Sequence, residues 1–491
     1  MSENILRNEE AASPPKTLRW YDGFMLALPV ATGVFVSIGY TIGAIGTIPA
    51  VLICLLLSVV ALLQNKLFSE MASMFADKAG GVALFAAEGW KRYFSPIAPI
   101  AAVGYWSGWA LTLSLVSLTI GQLVHTQWFP EVTWTIFDLG GVHFDVAHVI
   151  AAVCVVACTL LNILGIRVAL RFNQVIGVAF VLVLLAIALG PLLAGQWSAD
   201  RLESHVDGGW VTIVVWLYVS AWAIYGSELT AIFAPEYRDT SRDTSKALKS
   251  VAMFMIGAYT IVPLATGGQL SRDDFLANPV GYGIVSFDRL FGGFSAVITV
   301  ILCGALFLIM ISASADASRA LFGMSAERMS IKQWDHLNRR GVPSRALWTT
   351  MVVNLAILSL IGNPVAILIA SNLGYLLAVT LAVFAFLLLR KDRPNWPRPI
   401  RLARAWVPIA VVVGAFNAFI LVVGAMNPGL SYVGGFKEVF IGLGFLLVGV
   451  LLYLYRQVVQ DKAPVQWRVL ERETSVAARS EQADLIQGGA A

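Results

Sequence analysis

The sequence predicts an all-α integral membrane protein of twelve transmembrane helices, and three observations carry that prediction. Of its 491 residues, 58% are hydrophobic and only 13% charged, where a soluble chain carries about 25% charged residues. Apolar runs of about 20 residues, the length that crosses a bilayer, recur along the whole chain. Of the 34 Lys and Arg residues, all but Arg201, Arg272, Arg289 and Lys437 fall in alternate connections and in the two tails. A chain of twelve spans with both ends on one side produces that alternation. The positive-inside rule makes the basic side cytoplasmic, so both termini are expected there, in a multi-pass protein of the plasma (inner) membrane.

The spans fall near 23–43, 47–73, 97–125, 146–164, 172–195, 210–233, 248–269, 293–323, 346–362, 365–389, 405–425 and 437–458. Gly362-Asn363-Pro364 divides the ninth from the tenth, because Asn-Pro supplies a turn in an otherwise overlong run. Residues 1–20 form a polar tail without the apolar core and cleavage site of a signal peptide. Residues 21–460 form the helical domain, and 461–491 a second polar tail. The loop at 127–145 is rich in Trp and Phe and reads as an aromatic cover or a headgroup belt; 271–291 is a second long outer loop.

Composition and motifs exclude several functions. Cys54, Cys154, Cys158 and Cys303 all lie in apolar runs and read as small buried hydrophobes. They suggest neither disulfides nor a tetrahedral metal site. The sequence holds no HExxH, nucleophile elbow or phosphate loop, so no enzyme, cofactor, metal site or nucleic-acid partner is expected. The partners implied are the lipid bilayer and a small substrate, and the oligomeric state is left open.

The sixth span is anomalous. Trp210–Glu236 is apolar enough to cross, yet Tyr225, Gly226, Ser227 and Glu228 sit in its middle. Glycine weakens a helix and a carboxylate at bilayer depth is costly; such a break survives where the freed backbone faces protein, water or a ligand. The first span is interrupted too, by Pro29 and by Ala31-Thr32-Gly33. Two broken helices five spans apart insert with opposite orientation, which is the pattern of an inverted repeat in transporters. The repeats are expected at about 21–195 and 208–390, with two extra helices at 405–458.

Four stretches then resemble one family, the amino acid–polyamine–organocation (APC) permeases. They are SEMASMFADKAGGVALFAAEGW (69–90), LNILGIRVALRFNQV (161–175), WAIYGSELTAIFAPEYRDTSRDTSKAL (222–248) and SADASRALFGMSAERMSIKQWDHLNRRGVPSRAL (314–347). The resemblance implies the leucine-transporter fold, a five-plus-five inverted repeat with helices 1 and 6 broken, and secondary transport of amino acids or related amines. There are departures. The first break keeps one glycine of the family's G-x-G-x-G run. Arg328 and Ile331 stand where a glycine and a proline usually follow the eighth span. Phe180 replaces a lysine linked to proton coupling in some members.

A zwitterionic substrate needs donors for its carboxylate and acceptors for its ammonium. Backbone N–H groups near Ala31, Thr32 and Gly33 suit the first need. Backbone carbonyls of Trp222, Ala223, Ile224 and Tyr225, before Gly226, suit the second. Trp222 resembles the substrate-contacting tryptophan of the arginine–agmatine exchangers, which share W-x-x-x-G-x-E. Tyr105, Trp106 and Trp109 form an aromatic cluster that serves either packing or the site. Glu228 has three readings: it exchanges a proton, it pairs with a cationic substrate, or it is a buried hydrogen-bonded carboxyl. Asp316 with Ser314 suits a coupling H+ or Na+. Lys66, Glu70, Glu236, Arg238, Arg242, Glu327 and Arg328 are candidates for gate ion pairs at the cytoplasmic end. The leading reading is an alternating-access transporter, coupled to an ion or to counter-exchange; a channel or membrane sensor is the alternative class.

Overall fold

In a bilayer the backbone must satisfy its own polar groups, so apolar runs become helices. The computed structural model describes residues 16–75, 78, 80–139, 142–164, 166–432 and 434–469. The outer parts of both expected tails, 1–15 and 470–491, lie outside the described residues. The helices are α1 (Trp20–Ala27), α2 (Gly39–Ile45), α3 (Thr47–Met74), α4 (Gly81–Trp90), α5 (Ile97–Ala110), α6 (Thr112–Trp128), α7 (Val146–Ile163), α8 (Ile166–Leu193) and α9 (Trp210–Tyr225). They continue as α10 (Thr240–Gln269), α11 (Arg272–Ala277), α12 (Tyr282–Phe291), α13 (Ser295–Ala326), α14 (Ser344–Leu360), α15 (Pro364–Asp392), α16 (Trp406–Met426) and α17 (Phe436–Tyr455).

Among the described residues, eleven stretches are long and apolar enough to cross a membrane. They correspond to eleven of the twelve expected spans; the remaining one is α14, a shorter apolar helix of 17 residues. Asn363 makes the expected division, accepting hydrogen bonds from Val365 and Ala366 N–H as it caps α15. The most apolar windows of the first, third and sixth spans are 89%, 89% and 83% buried, against 33% for each of the last two. The two broken helices are therefore central, and α16 and α17 are peripheral. Between them, α3 packs along α10, α15 packs against α4 and α5, and α13 packs on α5 to α8 and on the first break.

Two details depart from an all-helical reading. The aromatic outer loop folds into a two-stranded antiparallel hairpin, β1 (Thr135–Leu139) and β2 (Val142–Asp145), with Phe137 stacked on Phe144. The connection after α3 contains α4, whose Glu88 is buried.

The end of α13 explains one departure from the family. Arg328 N–H donates to Ser325 O and Met329 N–H to Met324 O, the bonding of a glycine-type helix terminus. Arg328 occupies its left-handed position with φ 59°, which costs a residue with a Cβ roughly 1 kcal/mol.

Candidate functional site

Both breaks lie inside the protein and touch each other. In the first, Leu28–Thr32 is a 3-10 turn and Val34–Ile38 a π turn, with Gly33 between them. Pro29 has no N–H to continue an α-helix, and the hydroxyls of Thr32, Ser37 and Thr41 donate to Pro29 O, Gly33 O and Ser37 O. In the second, Gly226–Glu236 is an 11-residue 3-10 segment, far beyond the usual three or four. Its Ser227 accepts from Asn65 Nδ2 of α3 at 2.9 Å, and Thr230 O accepts from Tyr237 OH.

Tyr259 of α10 joins the two. Its hydroxyl lies 2.8 Å from Ala223 O and 3.2 Å from Val30 O, so one phenol serves a carbonyl from each broken helix. Gly33 is needed there: a Cβ would stand 2.5 Å from that hydroxyl. Gly226 is equally crowded, with Val30 Cγ1 at 2.7 Å and the Trp109 ring at 3.1 Å from a built Cβ. Tyr282 OH donates to Val34 O at 3.0 Å, occupying a further carbonyl of the first break.

Next to this junction sit two fully buried carboxylates. Glu228 Oε1 accepts from Trp109 Nε1 at 3.1 Å, and Asp316 Oδ1 accepts from Tyr105 OH at 3.3 Å. Glu228 Oε2 and Asp316 Oδ2 have no hydrogen-bond donor, and neither carboxylate has an ion pair among the described residues. Tyr375 of α15 lies between them, its ring centroid 6.2 Å from Tyr105 and 6.3 Å from Trp109. Carboxylates buried without a cation are costly while they are charged.

The predicted residues do not all converge. Gly33, Ala223 and Gly226 meet at the junction; Ala31, Thr32 and Ile224 are buried next to them in the chain, and Glu228 lies two residues beyond Gly226. Trp222 donates its indole N–H to Gly108 O of α5 at 3.1 Å. Tyr225 turns away to α16, donating to Asn417 Oδ1 at 2.9 Å. Trp106 points to Thr350 of α14 at 3.3 Å, so the aromatic cluster divides, with only Tyr105 and Trp109 at the carboxylates. Ser314 is directed toward Cys158 of α7, whereas Ser312 faces the first span and donates to Leu26 O at 2.8 Å. Phe180 packs edge-on against Phe35. Sequence reasoning missed Tyr259, Tyr375 and Asn417, which lie in apolar helices outside any motif.

At the Arg-rich end, ion pairs fasten the helices to one another. Glu236 accepts from Arg319 Nε at 2.7 Å, and Arg319 lies over Phe233 at 4.9 Å. Glu70 is held by Arg390 at 2.5 Å and Arg398 at 3.1 Å. Residues 17 and 18 strap the same place, their N–H groups donating to Glu236 O. Glu88 pairs with Lys78, Lys91 and Arg393. Burial alone raises its pKa, but the three cations outweigh burial and hold the carboxyl at about 2. At the opposite end a cavity of about 420 Å³ opens among Tyr40, Trp216, Arg272, Phe275, Pro279 and Tyr432.

This arrangement of broken helices can be set beside known proteins. The family model described as amino acid permease matches residues 18–451, nearly the whole helical domain. The chain belongs to the amino acid permease family. The permease is 23% identical over 360 residues to the amino-acid permease RocE of Bacillus subtilis, covering 69% of this chain and 72% of that one. It is 25% identical over 350 residues to the lysine-specific permease LysP of Escherichia coli, covering 68% and 69%. It is 23% identical over 359 residues to the histidine permease HisP of Lactococcus lactis, covering 67% and 69%. The permease is thus a multi-pass membrane transporter and not an enzyme.

Proposed function

We propose that the permease is a secondary active transporter that carries an amino acid or a related amine by alternating access. The observation that carries this reading is the junction at Tyr259, where the carbonyls of two broken helices face each other beside two uncompensated carboxylates. The first break's backbone N–H groups at Ala31–Gly33 take the substrate carboxylate, and Ala223 O and Val30 O take its ammonium in place of the Tyr259 hydroxyl. The fastened Arg-rich end and the cavity at the other end support a state that opens to the side opposite the ion pairs.

The topology belongs to the same proposal. Ser344–Leu360, about 26 Å at 1.5 Å per residue, crosses as the ninth of twelve helices, and the domain is 21–460. Spans 1 to 5 and 6 to 10 form the five-plus-five inverted repeat of the leucine-transporter fold, with α16 and α17 appended. The basic end is cytoplasmic, with both termini, in the plasma membrane. Glu228 and Asp316 couple the cycle to H+ or Na+.

A second reading is exchange of cationic amino acids or polyamines. Glu228 and Asp316 favour it, since a substrate cation would supply the charge they lack, and LysP and HisP are named for lysine and histidine. Reconstitution in liposomes separates the two readings. Uptake of labelled amino acids and amines is measured with and without a proton gradient, sodium or internal substrate. Gradient-driven uptake into empty vesicles supports symport, and uptake only with internal substrate supports exchange. If no amino acid or amine moves under any condition, the transport proposal fails.

A further inference from the structure

A second cavity lies at the Arg-rich end, away from the junction. Its volume is about 300 Å³, and it is bounded by α4, the end of α13, the end of α17 and the segment 461–469. That segment is fastened across it. Trp467 O accepts from Ser95 N–H and Lys91 O from Val469 N–H, each at 2.8 Å. Trp467 stacks on Phe94, and Gln466 O accepts from Tyr453 OH. Asp461 bridges Lys332 and Arg456, and Arg456 donates to Ser330 O.

The charges in and around this cavity do not balance. Its three carboxylates are already paired: Glu88 with Lys78, Lys91 and Arg393, Glu327 with Lys78, and Asp461 with Lys332 and Arg456. Arg328 lines the cavity as well, exposed, and its guanidinium makes no ion pair or hydrogen bond among the described residues. The lining itself holds these three carboxylates and two cations, Lys91 and Arg328; counting Lys78, Lys332, Arg393 and Arg456, which pair with the carboxylates from outside the lining, six cations answer three carboxylates. Arg328 also sits at the left-handed position that glycine fits, with φ 59°. An unpartnered arginine kept at a strained position points to a function rather than to packing. Ser95, Tyr453, Gln457 and Gln466 line the same space and offer neutral donors.

We propose that this cavity binds a phosphate-bearing group, anchored by Arg328 with Lys91 beside it. A guanidinium fork fits phosphate oxygens in pairs, and the surplus of positive charge suits an anion of charge one to two. The walls come from different parts of the helical domain: α4 packs on the Gly226–Glu236 break, and α13 packs on the first break. An occupied cavity therefore fastens α4, α13 and the 461–469 strap together, holding the Arg-rich end closed and slowing transport. The phosphate comes either from a lipid headgroup or from a soluble phosphate ester.

The test uses the full-length protein and its Arg328→Gly variant, whose backbone glycine suits, so folding is not the obstacle. Thermal unfolding is followed in detergent with inorganic phosphate and with glycerol 3-phosphate. It is followed again in vesicles of phosphatidylcholine with and without phosphatidylglycerol. The expected result is a rise in Tm of the wild type that is absent in Arg328→Gly, with apparent affinity lowered on the order of tenfold or more. A rise with glycerol 3-phosphate identifies a soluble ester; one seen only with phosphatidylglycerol identifies a headgroup. No rise with any probe, or equal rises in both proteins, overturns the proposal. Arg328→Gly keeps its uptake in phosphatidylcholine vesicles, so loss of the regulatory site is distinguishable from failure of the transport reading.

Discussion

Two groups of buried carboxylates in the permease are treated in opposite ways. At the Arg-rich end Glu70, Glu88 and Glu236 each meet at least one guanidinium within 3.1 Å. At the junction, Glu228 and Asp316 meet no cation: Trp109 Nε1 and Tyr105 OH donate to them, Tyr375 OH lies against Glu228, and each leaves one oxygen without a donor among the described residues. A compensated buried carboxylate is a fixed fastening, costly to break. An uncompensated one is costly while charged and is relieved by a proton or a cation. Under the proposed function, the two regions divide holding from receiving.

That division can be broken at either side. The largest effect is expected from Glu228→Gln, which should lower uptake in proteoliposomes by about tenfold or more while leaving thermal stability equal or higher. A fall in stability matching that of a broken ion pair would place Glu228 with the fastenings instead. Arg319→Gln should do the reverse. It leaves Glu236 buried without its partner, costing about 3 kcal/mol, and hydrogen exchange at residues 17, 18 and 238 should accelerate.

Acid sharpens the comparison without mutation. Glu88 carries a folded-state pKa of about 2, below its ordinary value of 4.5. Its contribution to stability is complete above the ordinary value and is lost as pH falls from there through 2. In a pH series of unfolding midpoints, Glu88→Gln should remove the part of the acid loss that belongs to that window. The smallest effect is expected from Tyr259→Phe, which removes one donor from two buried carbonyls and should cost about 1 kcal/mol. Gly33→Ala, by contrast, forces Tyr259 off its position and should impair uptake as well as stability.

The breaks were legible because their causes are local. Pro29 and Gly226 act within one helical turn, and the spacing of the two broken spans needs only counting. The basic alternation was legible for the same reason. What closes the breaks was not. Tyr259 meets Val30 across 229 residues and Ala223 across 36, and a single tyrosine in an apolar helix carries no local signal. Trp222 and Tyr225 sit on the expected helix, but rotation about its axis decides whether a side chain meets the junction or a neighbour, and the packing of α5 and α16 sets that. The hairpin had a signal that went unused. Thr135–Leu139 and 142–145 alternate around Gly140-Gly141, a turn pattern.

The Tyr259 hydroxyl has one hydrogen and two carbonyls to serve. At any instant it donates fully to only one of them, while Val30 O also accepts the Gly33 N–H. An arriving ammonium carries three hydrogens and can satisfy both carbonyls at once. If the substrate binds as proposed, its entry is an exchange of donors in which the net gain is small, because the tyrosine's bond is given up as the new ones form. A carrier working in that way would recognise its cargo without gripping it, and release would be as easy as capture.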